Sequence, residues 1–151
     1  MKLRISYKNL FNTLLSLNDS KEKIALSFAV GVFISITPSL GFHTILAIVL
    51  SFLFKLNKAA TIIGTLFNNP WTTLPIYYID YKIGAFITGC NKQFSLEPLT
   101  FEAILSQGKD IFAVLLTGSI IFGAIASFIM YHMIKYILSK HKRRIDDTAK
   151  R

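Results

Sequence analysis

Three stretches of the chain carry no charged residue: 24–54, 59–79 and 111–134, of 31, 21 and 24 residues. An uncharged apolar run of about 18 residues or more is a membrane-span candidate, because about 20 helical residues cross a hydrocarbon core of about 30 Å. Ahead of the first run, Leu3, Tyr7, Leu10, Phe11, Leu14 and Leu17 recur at spacings of three and four, with Arg4, Lys8, Asn9 and Asn12 between them. That period predicts an amphipathic helix within residues 1–20, too short to span, lying in the cytoplasmic interface or against a soluble partner. The pattern as a whole predicts an all-α integral membrane protein.

As one straight helix the first run would measure about 46 Å, well beyond the hydrocarbon thickness. A break is written into its middle as Pro38-Ser39-Leu40-Gly41, which removes a backbone donor and inserts a residue with free φ. Each remaining arm is about 20 Å long, so 24–54 is expected to form a re-entrant helical hairpin. Asn18-Asp19-Ser20 precedes it, with Asp19 or Ser20 as helix cap and Glu22 placed to complete a capping box on Asp19. The second run has the same form: an apolar arm from 59 to 67, the polar break Asn68-Asn69-Pro70-Trp71-Thr72-Thr73, and a resumption over 74–79 that carries Pro75 near its start. It is expected as a broken span, 59–79. The two runs share a glycine before the break, Gly31 and Gly64, and an asparagine beyond the second arm, Asn57 and Asn91; a degenerate internal repeat competes with coincidence here.

Residues 80–110 are expected to form an external loop, with Pro98 and Thr100 opening a short amphipathic turn that Gly108 closes. Run 111–134 is expected to span. Ser119, Gly123 and Ser127 fall four apart on it, the small-residue pattern that lets helices approach closely, inside one chain or between two. Asp80 marks the outer end of the second span in this reading.

Charge fixes the orientation. The chain is 52% apolar and 17% charged, with mean hydropathy +0.49 and net charge +9. Residues 1–23 hold five Lys/Arg against two acids and the tail 135–151 seven against two, whereas 24–134 is nearly neutral. Basic flanks beside apolar runs follow the positive-inside rule, which places both termini in the cytoplasm of a bacterial cell, on the inner membrane. The hairpin keeps Lys55 and Lys58 inside, the broken span crosses outward and the last helix returns. Treating 24–54 as a single crossing strands one basic terminus outside. Nucleic-acid binding is excluded as a partner class, since no folded soluble surface interleaves Lys and Arg with aromatics. The single cysteine, Cys90, makes neither an intramolecular disulfide nor a metal-ligand spacing. The first span lacks the form of a cleaved signal and is expected to be retained.

Irregular backbone at membrane depth must be buried in protein or line a wet cavity. The arms beginning near Phe42 and Thr72 start close to the expected midplane and aim positive helix ends at it. Pro38, Ser39, Gly41, His43 and Thr44 of the first break, with Asn68, Asn69, Pro70, Thr72 and Thr73 of the second, are therefore the candidate ligand-binding residues, suited to an anion. The same residue types also satisfy the freed backbone of a broken helix, with no ligand at all. His43 is the one titratable side chain deep in an apolar run. No acid pair, nucleophile-base pair, metal-ligand spacing or phosphate loop is present, so neither an enzyme nor a cofactor is expected. The absence of Asp and Glu from the three runs argues against a proton relay.

The chain resembles a bacterial membrane family catalogued as domain of unknown function 2062. The resemblance rests on Ala25, Gly31 and Phe33 before Pro38, then Gly41-Phe42-His43-Thr44, Leu56-Asn57, Asn69-Pro70-Trp71-Thr72, Pro75, Tyr77 and Gly84, and covers about residues 20–134. It implies a membrane location and motif positions but no chemistry. Relatives that carry a glycosyltransferase domain hint at envelope lipid or glycan work; the 151 residues contain no such domain, so direct sugar transfer is not expected. The expected function is binding of a lipid-linked or anionic substrate at the two breaks, with help in its translocation, by a homo-oligomer or with a membrane-protein partner. The competing expectation is a scaffold subunit of an envelope enzyme, docking through its basic N-terminal helix and its small-residue face.

Overall fold

A computed structural model describes residues 7–39, 41–89 and 108–149. Every element among them is an α-helix: α1 (Tyr7–Leu15), α2 (Lys21–Ile36), α3 (His43–Leu53), α4 (Lys58–Thr65), α5 (Pro70–Thr88) and α6 (Gly108–Ala149). Cys90, the turn expected from Pro98 onward and the first six residues of the amphipathic helix lie outside the described residues.

The axis of the fold is α6, whose segment Ile111–Lys142 is long and apolar enough to cross a membrane by length and composition. Both α2 and α5 pack on it, α4 packs on α2, and α3 lies against α4 and α2. Three contacts set the direction of α2: Lys135 pairs with Glu22 at 3.4 Å, Ile134 and Leu138 share a core with Ile24 and Ala25, and Gly123 meets Phe33 and Ile36. So α2 runs antiparallel to α6 along its C-terminal half and stops at Gly123. Along the other half lies α5, also antiparallel, with Asp80 against Gly118 and Gly84 against Val114. α2 thus ends near Gly123, about 18 Å along α6 from Lys135, while α5 lies on α6 from Gly118 toward Ile111.

Glycines set how closely the helices meet. Gly31 and Gly64 face each other across α2 and α4: a Cβ on Gly31 would fall 2.1 Å from the Thr61 carbonyl oxygen, and one on Gly64 2.3 Å from that of Phe28. Small residues let backbones come into contact in this way. α4 runs parallel to α2, with Asn57 at the foot and Asn68 at the head: the Asn57 amide N–H donates to Ser27 Oγ at 2.8 Å, and Asn68 Nδ2 to the Ser35 carbonyl at 2.6 Å. At the foot, Ser20 caps α2 by accepting from the Lys23 amide. Asp19, left free of capping, accepts from Asn57 Nδ2 at 2.6 Å and pairs with Lys23 at 3.1 Å.

Several boundaries differ from the sequence reading. The helix expected to end at residue 79 continues to Thr88, closed by the left-handed Gly89, because Ile83, Ala85, Phe86 and Ile87 resume the apolar pattern once Asp80 is buried. The first four residues of this helix are Pro70–Thr73, expected as part of the break; Asn69 is its N-cap and Pro70 takes the first helical position, where proline suits the geometry. The basic tail is helical through Ala149 as a continuation of α6. The small-residue face of α6 is used within the chain, Gly123 lying against the Phe33 ring.

Candidate functional site at the two helix breaks

Each break is closed by its own polar side chains. At the end of α2, Thr37 donates its amide to the Phe33 carbonyl and its hydroxyl to that of Ile34. Ser35 Oγ bonds the Val32 carbonyl at 2.7 Å, and the Ser35 carbonyl is taken by Asn68. These bonds satisfy carbonyls that a helix end leaves orphaned. The chain then turns over Pro38 and Ser39; Gly41 holds φ +91°, a value that favours glycine, and the Phe42 amide donates to the Ser39 carbonyl. Ser39 Oγ bonds His43 Nδ1 across the turn. His43 is half-buried and Thr44 is exposed.

The second break is a capping box. Asn69 Oδ1 accepts from the Trp71 and Thr72 amides at 3.0 and 3.1 Å, while Thr72 Oγ1 accepts from the Asn69 amide. Thr73 Oγ1 reaches Asn68 Oδ1 at 2.6 Å, so Asn68 bridges from Thr73 to Ser35. Among the described residues this bridge is the hydrogen-bonded link between the breaks; Ser39, His43 and Thr44 are not bonded to Asn69, Thr72 or Thr73.

The two helix starts are therefore unequal. The amides that would receive an anion at α5 are already occupied by Asn69, so Asn69, Thr72 and Thr73 act as structural closers there and the expected anion-facing end of α5 is sealed. The start of α3 differs: Phe42 is its N-cap and supplies no side-chain acceptor, and the first amide taken up within the helix is that of Leu46, donated to the Phe42 carbonyl. The amides of His43, Thr44 and Ile45 lead this end. Around it the surface is apolar, with Phe42, Ile45, Leu46, Ile48, Val49, Phe52 and Leu53 all exposed. An apolar groove of about 410 Å³ also opens between α2 and α6, walled by Leu26, Val30, Phe33, Phe128 and Tyr131, with Ser127 and His132 as its polar members.

Two features escaped the sequence reading. Asp80 does not end a span at an interface but is fully buried inside α5. Asn57 ties the α3–α4 connection to both Asp19 and Ser27. The apolar residues after Lys82 were the available sign for Asp80; Asn57 stood out only as a repeat and motif position, with no sign of its partners.

Fold and site together define an all-helical protein organised around one membrane-length helix, with two interrupted helices meeting halfway along it. The sequence profile of an uncharacterized protein family conserved in bacteria, DUF2062, matches residues 4–146, and the chain belongs to that family. No curated protein and no solved structure matches it.

Proposed function

We propose that this is a multi-pass protein of the bacterial inner membrane that binds an anionic lipid headgroup or lipid-linked anionic substrate at the tip of the α2–α3 hairpin. In this reading α2 and α3 form a re-entrant hairpin, α4 and α5 make a broken crossing, α6 returns, and both termini are cytoplasmic. The hairpin's turn at the Gly123 level of α6, with α5 covering the other half, supports that topology. One observation carries the binding reading: the start of α3 lacks a side-chain cap, whereas the start of α5 is capped by Asn69. Amides leading a helix favour an anion, the more so in a low-dielectric setting, and the apolar groove beside α2 suits acyl chains. Substrate movement across the membrane would then pass the hairpin tip, with oligomerisation or a membrane-protein partner completing the path.

The scaffold alternative is weaker on a specific point, since the small-residue face it would dock through is occupied by Phe33. The discriminating experiment is Thr44→Asp against Thr44→Asn. An acid in the first turn supplies its own anion and favours the helix. Thr44→Asp should lose selective retention of phosphatidylglycerol over phosphatidylcholine in native mass spectrometry, while Thr44→Asn keeps it. Equal retention by both variants removes the site.

A further inference from the structure

Asp80 is 0% exposed, and neither of its carboxylate oxygens has a hydrogen-bond partner. It sits where α5 and α6 approach most tightly: a Cβ on Gly118 would fall 1.7 Å from the Asp80 carbonyl oxygen and 2.9 Å from the Gly84 amide nitrogen, and one on Gly84 1.9 Å from the Val114 carbonyl oxygen. Backbone touches backbone there, so no water layer separates the helices at those points. Val114 and Leu115 of α6, Val32 and Ile36 of α2, and Ile76, Tyr77 and Tyr81 of α5 form the buried cluster around it. Ser119, also buried, spends its hydroxyl on the Leu116 carbonyl.

No cation among the described residues offsets the carboxylate. Between Ile111 and Met130, α6 has no titratable residue; α2 has only Lys21, Glu22 and Lys23 at its far end, α3 only His43 and α4 only Lys58. On α5 the titratable neighbours are Tyr77, Tyr78, Tyr81 and Lys82, and Lys82 is exposed with its ammonium 5.5 Å from the Tyr78 ring. An ionised carboxylate buried without donor or cation is far costlier than the neutral acid. The closed contact and the charged form therefore exclude one another. We propose that Asp80 is a proton-binding site that governs the α5–α6 contact, neutral while the helices are locked at Gly84 and Gly118 and ionised only when they part enough to admit water. The proton passes between the carboxyl and water, so each opening can release one and each closing takes one up. This site is separate from the hairpin tip and does not depend on the anion reading.

A hydrophobic carbodiimide tests it, because the O–H of a protonated acid adds across its C=N bond to give an O-acylisourea, whose acyl group shifts from oxygen to nitrogen and leaves a stable N-acylurea. Wild-type protein in phosphatidylcholine vesicles is treated with dicyclohexylcarbodiimide at pH 6 and at pH 9, and the α5 peptide is analysed by mass spectrometry. The expected result is an adduct on Asp80 at pH 6 that falls about tenfold or more at pH 9, as for one titrating group. Infrared spectra should show a protonated-carboxyl band that titrates over the same range and is missing from Asp80→Asn. Wild type should fall in melting temperature between pH 6 and pH 9, and that variant should lose the fall. A carboxylate band at every pH, or a neutral acid that never titrates, overturns the proposal; the wild-type measurements decide it even where Asp80→Asn fails to fold.

Discussion

Asn68 donates its side-chain amide to the carbonyl oxygen of Ser35 at 2.6 Å, joining the head of α4 to the last turn of α2. The bond satisfies a carbonyl of a buried residue whose own helix has ended, and it holds the two breaks at one level of α6. Asn68→Ala removes the donor and leaves that oxygen orphaned, which should cost about 1–3 kcal/mol. Asn68→Asp, of equal size but unable to donate as a carboxylate, should be at least as damaging. Thermal unfolding in detergent measures both; a melting temperature unchanged in both would mean that the Ser35 carbonyl finds another partner.

The glycine contacts predict a ranking. At Gly31 an added Cβ meets the Thr61 backbone, which cannot yield without separating α2 from α4, whereas at Gly123 it meets the Phe33 ring at 3.1 Å, a side chain able to shift. Gly31→Ala should therefore destabilise by about 1–3 kcal/mol or more and Gly123→Ala by much less. Gly123→Leu should approach the Gly31 effect, while Ile121→Leu stays nearly silent. Gly31→Ala proving as mild as Gly123→Ala would show that the helices do not touch there.

Acid should weaken the foot of the bundle. The hydrogen bond from Asn57, followed by that from Lys23, holds the Asp19 carboxyl below its ordinary 3.8. A group whose folded pKa is depressed contributes stability that is fully present above its unfolded pKa and is lost as pH falls through the folded value. Wild type should lose stability as pH drops from about 5 toward 3, and Asp19→Asn should lose less over that window. The measurement is melting temperature against pH for both proteins; parallel curves would assign the acid limb to other groups.

Sidedness follows from the proposed topology. On a Cys90→Ala background, Thr88→Cys at the end of α5 should react with a membrane-impermeant maleimide in intact cells, and Lys140→Cys near the end of α6 only after lysis. Both positions are exposed. Labelling of Lys140→Cys alone in intact cells would reverse the orientation.

Much of this architecture is legible along the chain. Pro38 with Gly41 ends α2 wherever it sits, since one removes a donor and the other turns the backbone into a conformation that favours glycine. Asn69-Pro70 likewise starts a helix by local chemistry, and the resemblance to a family of unknown function proved to be membership. The site was legible only as a set of polar residues at two breaks. Most of them bond partners within five residues, but what Asn68 faced depended on Ser35, 33 residues away in the chain.

What the sequence by itself determined is the local grammar: which segments are helical, where the two breaks fall, and that uncharged runs alternate with basic ends. These follow from short-range sterics, from capping and from the cost of placing charge in an apolar medium. Only the tertiary structure decided that Asn68 turns its amide to Ser35, because the two residues lie far apart in the chain and meet where α4 packs on α2. It also decided that Asp80, flanked by residues that read as the edge of a span, is closed in by Gly118 and Gly84. Burial is a property of what packs against a residue, and two glycine-lined backbones far apart in the chain can seal a carboxylate that its immediate neighbours would leave in water.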